Sequence, residues 1–424
     1  MTGGTRKRGS TWSYYFDLGK VGGKRQKKEK GGFKTRKEAE AALVRALSEY
    51  NHSGQVFTPA EITVSDYLDQ WYELYCKPNL KYNTQVGYLR ITEKHIKPKF
   101  GTYKLKSITP AALQEYANDL KLNGYSKSHM SGILSVFQSA LDYAVEPLHY
   151  ISANPMKLVK YPKVERKPRE RIILTMEEWQ HIISRFKDTR FYIPLMIGFY
   201  TGLRISEAFA LTWDDIDLNN RTLTVNKQIV KRNFGADVRK TVEQSGKREQ
   251  RSSWYFTTPK TSSSIRTIPF GDTLYNTLKA EQTSQKKNEL KYGEFYTIHV
   301  LKKETDEKGN DMQRIVSVQK CAESQLQRIR LVCIAENGQY TSTDSFKYCS
   351  RIIHKEMQLA FDYHSLRHTH ATMLIEAGAD VKNVQTRLGH TNIQTTLQTY
   401  VHDTEKMGQR SVELFEQLTT ARPS

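Results

Sequence analysis

Between Thr63 and Pro155, apolar side chains return every third or fourth residue through several successive runs. That period fits helices and fits strands poorly. "SDYLDQWYELY" puts Tyr67, Leu68, Trp71, Leu74 and Tyr75 on one stripe. "TPAALQEYANDL" begins with Thr109 as a cap and Pro110 at the first helical position, where the missing N–H is no loss. "SKSHMSGILSVFQSALDYAV" continues the stripe through Met130, Ile133, Leu134, Phe137 and Leu141. The spacing predicts a helical module over 63–155, with Lys and Arg on its polar faces.

The pattern changes on either side. Before the module, "WSYYFDLG" and "GFKT" are β-like pieces separated by the glycine-containing "GKVGGKRQKKEKGG", whose glycines permit turns. "TRKEAEAALVRALSEYN" then reads as a helix with Thr35 as N-cap and Glu38 in the capping-box position, so residues 1–55 are expected to form a small sheet plus one helix. After the module, "KLVKYPKVERKPRERI" carries two prolines and no helical period, and 156–172 reads as an extended basic linker. From residue 173 to 424 a third domain is expected. "LTMEEWQHIISRF" has Thr175 and Glu178 in capping-box spacing, and "RFYIPLMIGFYTGLRISEAFALTWDDID" reads as two helices broken at Gly202. "RTLTVNKQIV", "WYFTTPK" and "SIRTIPF" suggest one small antiparallel sheet, and helices resume after Asp272. "YTIHVLKKETDEKGNDMQRIVSVQK" looks like an extra hairpin with a charged tip, and residues 290–343 are assigned no chemistry. The expected fold class is multidomain and mainly α, with small antiparallel sheets and a mixed α+β final domain.

Length supports that division, because 424 residues exceed one ordinary core. Charge points to a partner. The formal net charge is +20, and residues 1–37 hold twelve Lys or Arg against two acids, interleaved with Trp12, Tyr14, Tyr15 and Phe33. An excess on this scale favours a polyanion, nucleic acid above all. Cys76, Cys321, Cys333 and Cys349 lack CxxC spacing and read as reduced, mostly buried thiols. No run of 18 apolar residues exists, and the basic "MTGGTRKRGS" has no apolar core after it, so neither a membrane span nor a signal peptide is expected. A cytoplasmic protein is the expectation.

Four separated groups carry candidate chemistry: Arg204 in "TGLRISE", Lys260 in "TPKTSSSIRTIPF", His364 and Arg367 in "HSLRHTH", and His390 with Tyr400 in "LGHTNIQTTLQTYVH". Singly each is weak, since an isolated arginine or lysine is usually a solvated charge and a lone tyrosine is usually core. The three histidines of "HSLRHTH" admit a zinc site, a proton relay, a phosphate clamp with Arg367 or a plain polar face. Zinc is disfavoured, because Ser365 stands where an HExxH motif has its glutamate. His364 and Arg367, three apart on a helix, share a face and can reach one phosphate. His368 and His370 read as supporting or structural.

Together and in this order, the groups resemble the tyrosine recombinases of the phage-integrase family. "TGLRISEAFALTWDDID" matches that family's first arginine box, "HSLRHTHATMLIEAG" its His-x-x-Arg box, and "LGHTNIQTTLQTYVH" its closing histidine-to-tyrosine segment. Residues 1–55 look like an arm-type DNA-binding domain, 63–155 like a core-binding domain, and 173–424 like a catalytic domain.

The chemistry accounts for the residue types. Attack on a phosphodiester adds negative charge to the nonbridging oxygens. Planar guanidinium groups donate two hydrogen bonds to such oxygens and stay charged. The resemblance implies that Arg204 and Arg367 clamp the phosphate, that His364 and His390 add donors, and that Tyr400 attacks to form a 3′-phosphotyrosyl bond. It further implies that Lys260 protonates the leaving 5′ oxygen and that Glu207 supports the site through a hydrogen bond. No metal or other cofactor is required.

The implied partners are double-stranded DNA at core and arm sites and a homotetramer on that DNA. A host DNA-bending protein and an excisionase are common accompaniments. The implied function is integration, with excision, of a phage or conjugative transposon. A non-cutting DNA binder of this fold and a type IB topoisomerase-like relaxase are the competing readings. The amphipathic tail "TEKMGQRSVELFEQL" is expected to pack either on its own domain or on a neighbouring protomer.

Overall fold

The computed structural model describes residues 3–21, 24–53, 62–163, 171–235, 237–243, 252–259, 261–306, 309–322 and 324–400, with Val412 and Glu416. Lys260 and nearly all of the tail lie outside the described residues, as does the middle of the basic linker, 164–170. The chain divides into two compact units, Met1–Arg166 and Lys167–Ser424. Among the described residues no helix is long and apolar enough to cross a membrane. Cys76, Cys333 and Cys349 are buried free thiols, and Cys321 is exposed.

The first unit opens with an antiparallel sheet of order β1-β2-β3, made of β1 (Gly3–Arg8), β2 (Thr11–Val21) and β3 (Lys24–Phe33), backed by α1 (Arg36–Ser53). Tyr14, Phe16, Leu43 and Ala46 form its core. The third strand corrects the sequence reading, which left "KRQKKEKGG" between strands. Its charges hide it from a hydrophobic-pattern search; its backbone pairs with β2 from Trp12–Phe33 to Val21–Lys24, and ion pairs at Glu29 add to that ladder. Glu29 accepts from Arg6 Nε at 3.0 Å, Arg8 Nη2 at 3.2 Å and Ser13 Oγ at 3.0 Å. Those cationic partners hold its carboxyl below the usual range. The cap of α1 forms as Thr35 Oγ1 accepts the Glu38 N–H at 3.2 Å, while Glu38 accepts from Lys34 N rather than Thr35 N.

The helical module follows. Helix α2 (Val64–Trp71) passes through a π-turn, Tyr72–Cys76, into α3 (Lys77–Asn79), and α4 (Tyr82–Ile91) passes through a second, Thr92–Ile96, into α5 (Lys97–Phe100). Both π-turns run into a Lys-Pro pair. Proline has no N–H for the usual bond and crowds the carbonyl one turn back, and the wider turn accommodates both defects. Helices α6 (Pro110–Leu122) and α7 (Lys127–Val145) complete the bundle, with Thr109 and Ser126 capping them as side-chain acceptors.

The second unit is built on α9 (Tyr192–Thr201), which is buried over most of its length. Helix α8 (Met176–Phe186) keeps the Thr175–Glu178 capping box and stacks Trp179 on Phe199, ring centroids 4.0 Å apart. Helix α14 (Tyr363–Glu376) crosses α9 at Gly198, where a Cβ would fall 2.7 Å from Leu366 Cδ1 and 2.8 Å from Tyr363 Oη. Only hydrogen at that position lets the two helices approach so closely. The crossing brings the start of α14 beside the end of α9.

The expected single sheet is two sheets. β4 (Ile216–Asp217), β5 (Thr222–Val225) and β8 (Arg266–Pro269) form one, of order β4-β5-β8. β6 (Gln228–Asn233) and β7 (Ser252–Thr257) leave it. They join β9 (Thr297–Thr305), β10 (Asp311–Gln319) and β11 (Gln327–Ile329) in a sheet of order β11-β9-β10-β7-β6. α11 (Val238–Glu243) lies in sequence between β6 and β7, and α12 (Asp272–Tyr292) between β8 and β9. α13 (Thr343–Lys355) precedes α14; α15 (Val381–Leu388) and α16 (Ile393–Tyr400) follow it.

Candidate active site

The α9–α14 crossing makes the site. Gly202, left-handed at φ 66°, ends α9, and Arg204 follows as the residue that opens α10 (Ile205–Ala208). One turn later Glu207 is 3% exposed. Its Oε1 accepts from Arg204 Nη1 at 2.9 Å, and its Oε2 accepts the Arg204 backbone N–H at 3.1 Å and Arg266 Nη2 at 3.0 Å. Burial pushes the Glu207 carboxyl up, but the adjoining Arg266 and Arg204 outweigh it and hold the group below the ordinary carboxylate range.

Arg367, on α14, is 1% exposed and donates through Nη1 to Gly202 O and through Nη2 to Leu388 O, both at 2.8 Å. It therefore ties the end of α9 to the end of α15. His364 sits one turn before Arg367 and is solvent-accessible, its ring 4.6 Å from that of His368. His390 follows the α15 cap, with Nδ1 2.9 Å from the buried Thr396 Oγ1 and its carbonyl accepting from Gln385 Nε2 at 2.9 Å. Partial burial, then Arg367, Arg204, Arg266 and His364, push the His390 pKa down to about 3. Burial and the neighbouring Arg367 and Arg204 lower that of His364. Both imidazoles are thus neutral near pH 7. If Nδ1 of His390 accepts the Thr396 hydroxyl proton, Nε2–H is left as a donor.

The fold gathers Arg204, Glu207, His364, Arg367 and His390, and α16 carries the backbone from His390's turn to its own last residue, Tyr400. Thr261–Ser264, just past Lys260, approach the same turn through Ser263 Oγ, 3.1 Å from Thr391 Oγ1. Two other phenols of this unit serve the core. Tyr363 donates to Pro194 O and Tyr340 to Phe209 O, and burial raises both pKa values well above the usual phenol range. Tyr348 is 50% exposed on α13.

Two arginines were not among the sequence candidates. Arg266 Nε donates to Arg387 O at 2.7 Å. Arg387 donates through Nε to His370 Nε2 at 3.0 Å, through Nη1 to Pro269 O and through Nη2 to Tyr200 O. The signal for Arg266 was the strand alternation of "RTIPF": Arg266, Ile268 and Phe270 point inward while Thr267 and Pro269 do not.

Residues 172–407 fit the description "Phage integrase family", and residues 63–121 and 5–50 fit its N-terminal SAM-like domain and an arm DNA-binding domain. The chain belongs to the phage integrase family. It is a tyrosine-type site-specific recombinase. Among relatives, a XerC-like tyrosine recombinase of Caldanaerobacter subterraneus is 27% identical, over 91% of this chain and 90% of that one. The ICEBs1 integrase of Bacillus subtilis is 25% identical, over 87% and 86%. In fold, this integrase-family chain matches the Tn1549 transposon integrase solved with circular intermediate DNA (TM-score 0.59, 22% identity, 84% of this chain and 100% of that one). It also matches a lambda integrase tetramer on a Holliday junction (TM-score 0.54, 17% identity, 89% and 91%).

Proposed function

We propose that this recombinase integrates and excises a mobile element by cutting DNA through Tyr400. The phenol oxygen attacks the scissile phosphorus as its proton passes to water, the bond to the 5′ oxygen breaks, and a 3′-phosphotyrosyl link replaces it. Lys260 gives the departing 5′ oxygen its proton. A 5′-hydroxyl from a second duplex reverses the step on a new partner, with no cofactor and no ATP. Arg204 and Arg367 hold the nonbridging oxygens, with His364 and His390 as neutral donors and Glu207 orienting Arg204. Fixed donors aimed at developing charge are commonly the largest catalytic contribution.

The observation that carries this reading is the concentration of guanidinium at one place. Arg204 and Arg266 share the single carboxylate of Glu207, while Arg367 and Arg387 spend donors on backbone carbonyls. Such a site attracts a phosphodiester. The working assembly in this reading is a tetramer on paired core sites in a bacterial cytoplasm, with arm sites bound by the N-terminal domain and with a DNA-bending protein and an excisionase as accessories.

The test is covalent trapping on DNA flanking the protein's own gene. Wild type should give an SDS-resistant protein–DNA adduct and Tyr400→Phe none. An adduct that survives in Tyr400→Phe moves the nucleophile to another residue, and tight binding with no adduct from wild type supports the non-cutting reading.

A further inference from the structure

We propose that Arg266 is a positioning residue for strand cleavage: it keeps Arg204 free to hold the phosphate and fixes the turn that presents His390. The inference rests on the phosphotyrosyl reading above and names a residue that reading does not use.

The Arg266 side chain is 5% exposed, and all three of its nitrogens are committed. Nη2 donates to Glu207 Oε2 at 3.0 Å, Nε to Arg387 O at 2.7 Å and Nη1 to Ser264 O at 2.9 Å. Each bond reaches a different part of the site: the helix that carries Arg204, the last turn of α15, and the loop that follows Lys260.

The last two carbonyls of α15 are held in sequence, Arg387 O by Arg266 and Leu388 O by Arg367 at 2.8 Å. Gly389 comes next at φ +67°, and a Cβ there would lie 3.0 Å from Arg266 Nη1 and 3.2 Å from its Cζ. The guanidinium therefore packs directly against the left-handed turn that precedes His390. Neutralising Glu207 alone would not require these carbonyl bonds. The planar fork of arginine can make all three together, and a lysine ammonium at the same Cα cannot.

The consequence for Arg204 is competitive. Arg266 occupies Oε2 of Glu207, so Arg204 meets the carboxylate through Oε1 with one guanidinium nitrogen, Nη1, at 2.9 Å. Without Arg266, a buried carboxylate would be left to Arg204 alone. The favoured arrangement would then be bidentate, drawing Arg204 off the phosphate. A misplacement of about 1 Å in a reacting constellation costs about 10²-fold in rate. DNA affinity, summed over many phosphate contacts along the duplex, should barely move.

The experiment measures adduct formation at saturating DNA, together with Kd, for wild type, Arg266→Gln and Arg266→Lys. Both variants should lose about 10²-fold in rate with Kd within about threefold of wild type. Adduct formation by Arg266→Gln within threefold of wild type overturns the inference, as does a rate loss matched by weaker binding. If Arg266→Gln does not fold, as read by its melting transition, Arg266→Lys carries the test by the same criteria. Failure of wild type to form any adduct overturns the phosphotyrosyl reading itself, whereas a normal wild type with undiminished Arg266 variants overturns only the role of Arg266.

Discussion

His370 accepts a hydrogen bond from Arg387 Nε, an arrangement that a protonated imidazole cannot keep. Burial, and then Arg387, push its pKa down to about 4; burial with neighbouring charges takes His368 to about 4 and His390 to about 3. Each folded value lies below the unfolded value near ~6.5. The unfolded chain therefore binds protons that the folded chain refuses, and stability falls as pH drops from about 6.5 toward 4 and is complete above that window. Urea midpoints at pH 7.5 and pH 5 should differ by less in His370→Gln than in wild type, and an equal drop would remove His370 as a cause. At this scale the sequence supplied the residue types, and spacing placed His364 and Arg367 on one face. It did not expose Arg266 or Arg387, because their partners are mostly backbone carbonyls from distant segments, which carry no side-chain signature.

At the scale of elements, the site exists because two helices meet at a glycine. Gly198→Ala would place its Cβ within 3.0 Å of both Leu366 and Tyr363 and wedge α14 away from α9. Overpacking of this kind costs about 1–3 kcal/mol. The expected outcome is a lower urea midpoint together with slower adduct formation, since Arg367 and Arg204 ride on opposite sides of the wedge; an unchanged midpoint would show that the crossing can relax. Helix period and caps marked α2, α6, α7, α8 and α14 in the sequence, because helical order is local. Strand partnership is not. The sequence placed strands at 221–230, 254–260 and 264–270, but one sheet became two because β7, with β6 paired to its other edge, finds its partner in β10, more than fifty residues later, through pairs such as Tyr255 with Arg314. The hairpin assigned no chemistry turns out to complete that sheet.

For the molecule as a whole, the basic excess sets how it meets DNA. Cations that neutralise phosphates release counterions, so log affinity falls with log salt in proportion to the contacts made. With twelve Lys or Arg in residues 1–37, removing residues 1–53 should flatten that salt dependence while leaving cleavage of a core site by the rest of the chain intact. An unchanged slope would assign the N-terminal charge to solvent. Composition, helical period and three ordered boxes determined the class of partner, the helical module and the family resemblance, because these depend on residue type and near neighbours. The tertiary structure alone decided that Glu207 is shared between Arg204 and Arg266, that Arg367 bridges two helix ends, and that the inserted strands make a separate sheet. Apart from the local Arg204–Glu207 pair, those contacts join residues from about 20 to about 165 positions apart, and only packing brings them within hydrogen-bond reach.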